Sequence, residues 1–214
     1  EPAQTELAVR PSMRYPHECL TELPSKLTAT GIGRGYRADE AAEETAPPRR
    51  EVRLRAPLFD PAERRLSPAE AGTAHHLFMQ FCDFSEAEKP GGVERELARL
   101  PARGILSEKQ AAAVKIPRIE AFFASELYRG LMKNAKVRRE FKFSVLVPAS
   151  RYFPAAESEP EENVLLQGVI DCLIETEDGY VILDFKTDRV SEGTLPERAE
   201  SYRAQLDAYA AAVR

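Results

Sequence analysis

Two aliphatic runs with a short polar break between them dominate the last third of the chain. Val164 to Ile174 and Tyr180 to Phe185 are rich in β-branched and aliphatic residues, which favours extended backbone. Asp178-Gly179 lies in the break and is a hairpin signal, because glycine accepts the positive φ that tight turns need. Upstream, Val137 to Val147 alternates, with Phe141, Phe143, Val145 and Val147 on one side, and reads as a third strand. Before it the period becomes helical. Ser67-Pro68-Ala69-Glu70 places Ser at an N-cap, Pro at N1 and Glu at N3, so a helix is expected over 68–84. Leu77, Phe78, Phe81 and Phe84 supply its apolar stripe. After the Gly91-Gly92 break, helices are expected over 93–100, 107–114 and 117–134. A final helix is expected over 195–213, with Tyr202, Gln205, Leu206 and Tyr209 on one face. Residues 24–30 read as a short extended segment, residues 1–66 otherwise as an irregular lead-in and linker, and the acidic, proline-bearing stretch 148–163 as a mobile loop.

Composition narrows the class. At 214 residues and 43% hydrophobic content the chain can form a real core, and one domain is the expectation. The net charge of −5 argues against a protein that coats nucleic acid unaided. The basic residues gather mainly at Arg129, Lys133, Lys136, Arg138, Arg139 and Lys142, where a solvated face and a DNA-backbone contact are both open readings. Cys19, Cys82 and Cys172 show no C-x-x-C spacing and cannot pair completely, which fits a reducing, cytoplasmic compartment. No run of about 18 apolar residues is present, so no membrane helix is expected. The start without Met and the stop inside a helical pattern suggest a piece of a longer protein, cut at its C-terminal edge.

The hairpin carries charges where an aliphatic element normally has none. Asp171 lies inside its first strand, and Asp184 and Lys186 end the second, on one face by the period of two. Such groups are costly to desolvate unless they pair or bind something. An Asp/Lys ion pair is the plainer account. A divalent cation held by the two carboxylates is the other, and oxygen donors suit Mg²⁺ or Mn²⁺. His75 and His76 lie on the helix over 68–84 and point about 100° apart, so at most one faces a site. Gly31-Ile32-Gly33-Arg34-Gly35 lacks the Gly-Lys-Ser/Thr ending of a phosphate loop and reads as linker.

The order helix, strand, strand, strand, helix, with Asp171 on the second strand and Asp184-Phe185-Lys186 on the third, resembles the core of PD-(D/E)XK nucleases. Gly72-Thr-Ala-His-His76, Arg139-Glu-Phe-Lys-Phe143, Gln167-Gly-Val-Ile-Asp171, Leu183-Asp-Phe-Lys-Thr-Asp188 and Tyr202-Arg-Ala-Gln-Leu-Asp-Ala-Tyr209 look like successive motifs of RecB-type nuclease domains, and Pro24-Ser-Lys-Leu-Thr-Ala-Thr30 with Gln167-Gly-Val-Ile-Asp-Cys-Leu173 looks specifically like the AddA helicase–nuclease type. The resemblance implies an α/β restriction-endonuclease-like core over 67–214: a mixed central sheet flanked by helices, with a helical insert at about 93–134. It implies metal ligation by His76, Asp171, Asp184 and the Phe185 carbonyl. Lys186 would position or help deprotonate the attacking water, Gln205 and Tyr209 would line the site, and Glu140 would orient a second metal, water or Lys186. Arg138, Arg139 and Tyr202 are candidate DNA contacts. The implied reaction is Mg²⁺- or Mn²⁺-dependent hydrolysis of single-stranded DNA delivered by helicase domains outside this piece, in a bacterial complex with an AddB-like subunit. No four-cysteine set is present, so an iron–sulfur version is not expected, and no Walker A motif is present. A free-standing exonuclease and a catalytically silent DNA-binding or docking module are the rival readings.

Overall fold

The longest aliphatic run becomes the centre of the sheet. In the computed structural model, which describes residues 18–21, 23–32, 66–188 and 190–214, β3 spans Asn163–Thr176. β2 (Lys136–Pro148) lies antiparallel along nearly all of it, from Lys136 opposite Glu175 to Pro148 opposite Asn163. The other edge of β3 is shared. β1 (Lys26–Thr28) pairs in parallel with Leu165–Gln167, and β4 (Gly179–Leu183) pairs antiparallel with Cys172–Thr176. The sheet is therefore mixed, with the β3–β4 hairpin turning through Glu177 and Asp178 into Gly179, whose φ is 137°.

Burial along β3 does not keep one phase. Val164, Leu166 and Ile170 pack in one cluster together with Leu173, while Cys172 and Ile174 pack in another. The alternation changes phase at Asp171. Opposite Asp171, Glu140 has φ 52°, a left-handed conformation inside a strand. This irregularity lets both faces of the sheet be covered near its C-terminal half. The first cluster is closed by α1 (Ala29–Ile32) and α8 (Arg203–Ala212), through Ala29, Ala208 and Tyr209. The second is closed by α2 (Pro68–Phe81) through Ala74, Phe78 and Met79, and by a helical segment beyond it. That segment comprises α3 (Phe84–Ala87), α4 (Gly92–Ala102), α5 (Glu108–Ala113), α6 (Ile116–Ala124) and a π-helical turn (Tyr128–Met132). Phe84, Phe122, Phe123 and Tyr128 meet edge to face or tilted, with ring centroids 4.8–6.3 Å apart.

The helix starts agree with the sequence signals. Ser67 caps α2 and Ser107 caps α5, each in a reciprocal box, with Glu70 and Gln110 returning bonds to the cap N–H. The stops differ. The helix expected over 68–84 ends at Phe81, because Asp83 accepts from the Ser85 N–H and starts α3. The helix expected over 117–134 breaks at Ser125, whose hydroxyl donates to the Phe122 carbonyl at 2.6 Å and accepts from Tyr128 N–H at 3.2 Å. The helix expected over 195–213 divides into α7 (Leu195–Glu200) and α8, where Ser201 Oγ donates to the Arg198 carbonyl at 2.6 Å. The acidic stretch 148–163 is packed, with 3₁₀ turns at Ala149–Arg151 and Pro154–Ala156 that bury Ala149 and Ala156. The lead-in over 1–17 and 33–65, including the loop from Gly33 and the arginines of 49–55, lies outside the described residues.

Gly168 shows how closely the first cluster is fitted. A Cβ there would lie 2.6 Å from Phe143 Cζ and 3.1 Å from Ala29 Cβ, both buried. Gly168→Ala is therefore expected to lower stability by about 1–3 kcal/mol through overpacking, read as a lower urea midpoint at unchanged m-value.

Candidate active site

The β3–β4 hairpin fixes the first contacts. The Phe185 backbone N–H, just past β4, donates to Asp171 Oδ2 at 2.6 Å, so the two carboxylate-bearing segments are tied by a charge-assisted bond. Asp171 Oδ1 lies 3.3 Å from His76 Nδ1, which α2 delivers from the second cluster's side. The two adjacent histidines take different tasks. His75 is buried; its Nε2 accepts from the Lys115 N–H at 3.0 Å, so its Nδ1 donates to the Ala71 carbonyl at 2.7 Å. His75 pins α2 to the cap of α6 and leaves His76 facing the hairpin.

Glu140 joins this group. It sits opposite Asp171, between the pairs Arg139↔Cys172 and Phe141↔Ile170, and its left-handed backbone carries the side chain toward Asp171. One ligand atom each from His76, Glu140 and Asp171 fall within 4.8 Å of one another. An imidazole nitrogen and two carboxylates form a donor set that fits a divalent cation.

Asp184 and Lys186 form a second, adjoining group. Lys186 Nζ is 2.5 Å from Asp184 Oδ2. Gln205, buried on α8, bridges the pair: its Oε1 accepts from Lys186 Nζ at 3.2 Å and its Nε2 donates to Asp184 Oδ1 at 3.2 Å. Gln205 Nε2 also contacts Tyr209 OH at 2.5 Å, and Tyr209 OH donates to Asp184 Oδ1 at 3.4 Å. An amide in the middle of an apolar helix face is hard to place as core from sequence; here it holds both charged ends of the Asp–Lys pair. Lys186 Nζ also lies 4.8 Å from the centre of the Tyr202 ring. Tyr202 OH in turn donates to Asp188, which accepts from Arg198 Nε at 3.0 Å. The sequence pattern gives Arg198 no signal, and Asp188 only the weak one of closing the motif that begins at Leu183.

Charge is unbalanced at this point. Burial pushes the Asp184 carboxyl up, against the pull of Lys186. Burial and the neighbouring Asp171 push Glu140 up as well. The hydrogen bond to Asp171 raises His76, with the charges of Asp171 and Asp184 adding to it. Three carboxylates crowded with one ammonium and one imidazole favour an added cation.

The basic residues do not converge here. Arg139 donates to the Met79 and Cys82 carbonyls at 3.0 and 2.6 Å and stacks 4.6 Å from the Phe84 ring centre, so it closes the end of α2. Arg138 and Lys136 flank Glu175 at 3.8 and 2.9 Å, at the far end of β2. Lys133 pairs with Glu88 at 3.1 Å. The run that reads as one basic cluster in the sequence is split across separate surfaces, because a strand and a π-helical turn send its side chains in different directions. Cys82 and Cys172 are buried, and burial pushes both thiols up to about 12. Among the described residues, no helix is long and apolar enough to cross a membrane.

With this arrangement in view, residues 49–214 match the family model described as the PD-(D/E)XK nuclease superfamily. The chain belongs to the PD-(D/E)XK nuclease superfamily. It is also similar to proteins named as the A subunit of an ATP-dependent helicase/nuclease. The one from Desulforudis audaxviator is 38% identical over 205 residues, covering 94% of this chain and 17% of that protein. The one from Moorella thermoacetica is 39% identical over 213 residues, covering 98% and 15%. The one from Thermoanaerobacter sp. is 34% identical over 200 residues, covering 93% and 16%. The chain thus spans about a sixth of the length of these curated relatives.

Proposed function

We propose that this chain is the DNA-cleaving domain of an AddA-type helicase–nuclease, hydrolysing phosphodiester bonds of single-stranded DNA with Mg²⁺ or Mn²⁺. The observation that carries the reading is the meeting of His76, Asp171, Asp184, Lys186 and Gln205, drawn from α2, β3, the segment after β4 and α8. An ion pair at a strand end would need neither the imidazole nor the glutamine. On this reading Asp171 is the acid of the first site strand, and Asp184 and Lys186 are the (D/E)XK end of the second. The residues fit a cation at His76, Glu140 and Asp171, with Asp184 and the Phe185 carbonyl proposed as further oxygens. When bound, a divalent cation supplies Lewis-acid stabilisation of charge on the phosphate.

The chain's own residues supply the rest. Lys186 holds an ammonium at the edge of the carboxylate group, where it orients the attacking water and faces the charge that develops on the phosphate. Gln205 and Tyr209 fix Asp184 and Lys186 in one relative geometry, which is worth most if it is set before the substrate arrives. The net charge of −5 accords with a substrate delivered by motor domains rather than captured by a basic surface. The full-length protein is proposed to work as an exonuclease with an AddB-like partner, in the bacterial cytoplasm.

The test is degradation of end-labelled single-stranded DNA by the full-length protein. Cleavage is expected with Mg²⁺ or Mn²⁺, lost on adding EDTA and restored by excess metal. Cleavage that persists in EDTA would remove the metal from the proposal, and no cleavage under any metal would favour the docking-module reading.

A further inference from the structure

A groove runs across three strands of the sheet. Its volume is about 670 Å³, and it is lined among others by Lys26 and Thr28 of β1, Lys142 and Ser144 of β2, and Gln167 and Val169 of β3. The register places Thr28 opposite Gln167, Gln167 opposite Ser144, and Lys142 opposite Val169. Thr28, Gln167 and Ser144 thus form one row across three strands, with Gln167 Nε2 donating to Ser144 Oγ at 2.8 Å. Lys142 and Val169 are each two residues from the ligand-group residues Glu140 and Asp171. Lys26 lies opposite Leu165, a further four residues along β3 from Val169. At 3.3–3.4 Å per residue, the path from Asp171 to the Lys26 row is about 20 Å.

We infer that this groove carries the single strand of DNA on its way to or from the site, an inference that rests on the nuclease reading above. Charge is the reason. Acidic residues outnumber basic ones 35 to 30 in the chain, yet the groove is lined by two lysines and no carboxylate among the described residues. Two ammonium groups can each neutralise a phosphate. Thr28, Ser144 and Gln167 offer uncharged donors and acceptors to the backbone without reading bases. Val169, 36% exposed, gives a small apolar surface for sugar or base. By register, the groove's Lys142 and Val169 end lies nearest to Glu140 and Asp171.

The test uses the full-length protein with Lys26→Gln and Lys142→Gln combined. For oligo(dT) cleavage without ATP, KM is expected to rise with kcat within twofold of wild type. The log–log dependence of KM on salt should become shallower by about 1.4, at about 0.7 for each phosphate of a single strand that is no longer neutralised. An unchanged KM and salt slope would overturn the inference. A second arm reads occupancy without needing cleavage. With Val169→p-benzoylphenylalanine, irradiation is expected to join the protein to oligo(dT). Crosslinking to another protein instead, or none to DNA, would overturn it. If the wild type leaves DNA uncut while this crosslink forms, the nuclease reading fails and the groove stands.

Discussion

Asp184→Asn is expected to reduce cleavage of single-stranded DNA by about 10³-fold or more while leaving the melting temperature close to wild type. The substitution keeps the shape of the side chain, so the fold is little disturbed. It removes the charge that Lys186 Nζ meets at 2.5 Å and toward which Gln205 and Tyr209 direct their donors. A loss of 10³ corresponds to about 4 kcal/mol of transition-state stabilisation, at 1.36 kcal/mol per tenfold. That is within the several kcal/mol that fixed charges and a metal contribute in such sites. The variant also separates two roles. If Asp184 acted only as a salt-bridge partner, kcat would change little and stability would fall, which is the outcome that would sink its placement in the reaction. End-labelled substrate under single-turnover conditions, with a thermal melt of the same sample, reads both.

The largest stability effect is expected far from the chemistry. In Gly92→Ala, the new Cβ would lie 1.9 Å from the Glu86 carbonyl oxygen and 3.0 Å from Ala87 Cα. Both obstacles are backbone, so no side chain can swing away. Gly92 is the first residue of α4, directly after Gly91 in the left-handed region at φ 68°. The carbonyl belongs to α3, whose turn brings Ala87 into the second cluster beside Val93. Relief requires α3 and α4 to separate, which opens that core. The cost is expected to reach about 4 kcal/mol, at the upper end of single substitutions. Urea unfolding should show a large drop in midpoint, whereas a drop of less than about 1 kcal/mol would mean that the α3–α4 turn can move freely.

The hairpin and the polar face of α8 are legible in the sequence because each leaves a local trace, whereas helix geometry leaves His75 and His76 open and only the family resemblance points to His76. Asp178-Gly179 marks a turn, and a helix separates adjacent side chains by about 100°. Charged or amide groups within aliphatic runs stand out as needing partners. Glu140 is legible only as a nearby carboxylate. Its place beside His76 and Asp171 goes with a left-handed backbone at one strand position, and nothing in Arg139-Glu140-Phe141 announces that. The breaks at Ser125 and Ser201 are hidden for a related reason. Serine is tolerated inside helices, and its hydroxyl decides the outcome only when a neighbouring carbonyl is free to receive it. Arg139 reads as a DNA contact because its true partners, the Met79 and Cys82 carbonyls, lie about 60 residues away and are named by the fold alone. The stretch 148–163 reads as a loop from its acidity, while its two small buried alanines are the residues that pack it.

The His75 tie between α2 and Lys115 has a consequence for the order in which this molecule folds. Asp171 meets the Phe185 amide across 14 residues, within a hairpin that can close on its own. His76 meets Asp171 across about 95 residues. Loop closure over the longer span costs about 1.7 kcal/mol more in chain entropy. Asp171 and the segment that carries Asp184 can therefore come together early, as a local unit, and the imidazole arrives only once α2 and the helices after it have docked as a block. Transient opening of that block would withdraw the His76 imidazole and leave the Asp171–Phe185 contact intact. On the proposed nuclease reading, cutting competence would then report on the docking of a whole helical layer.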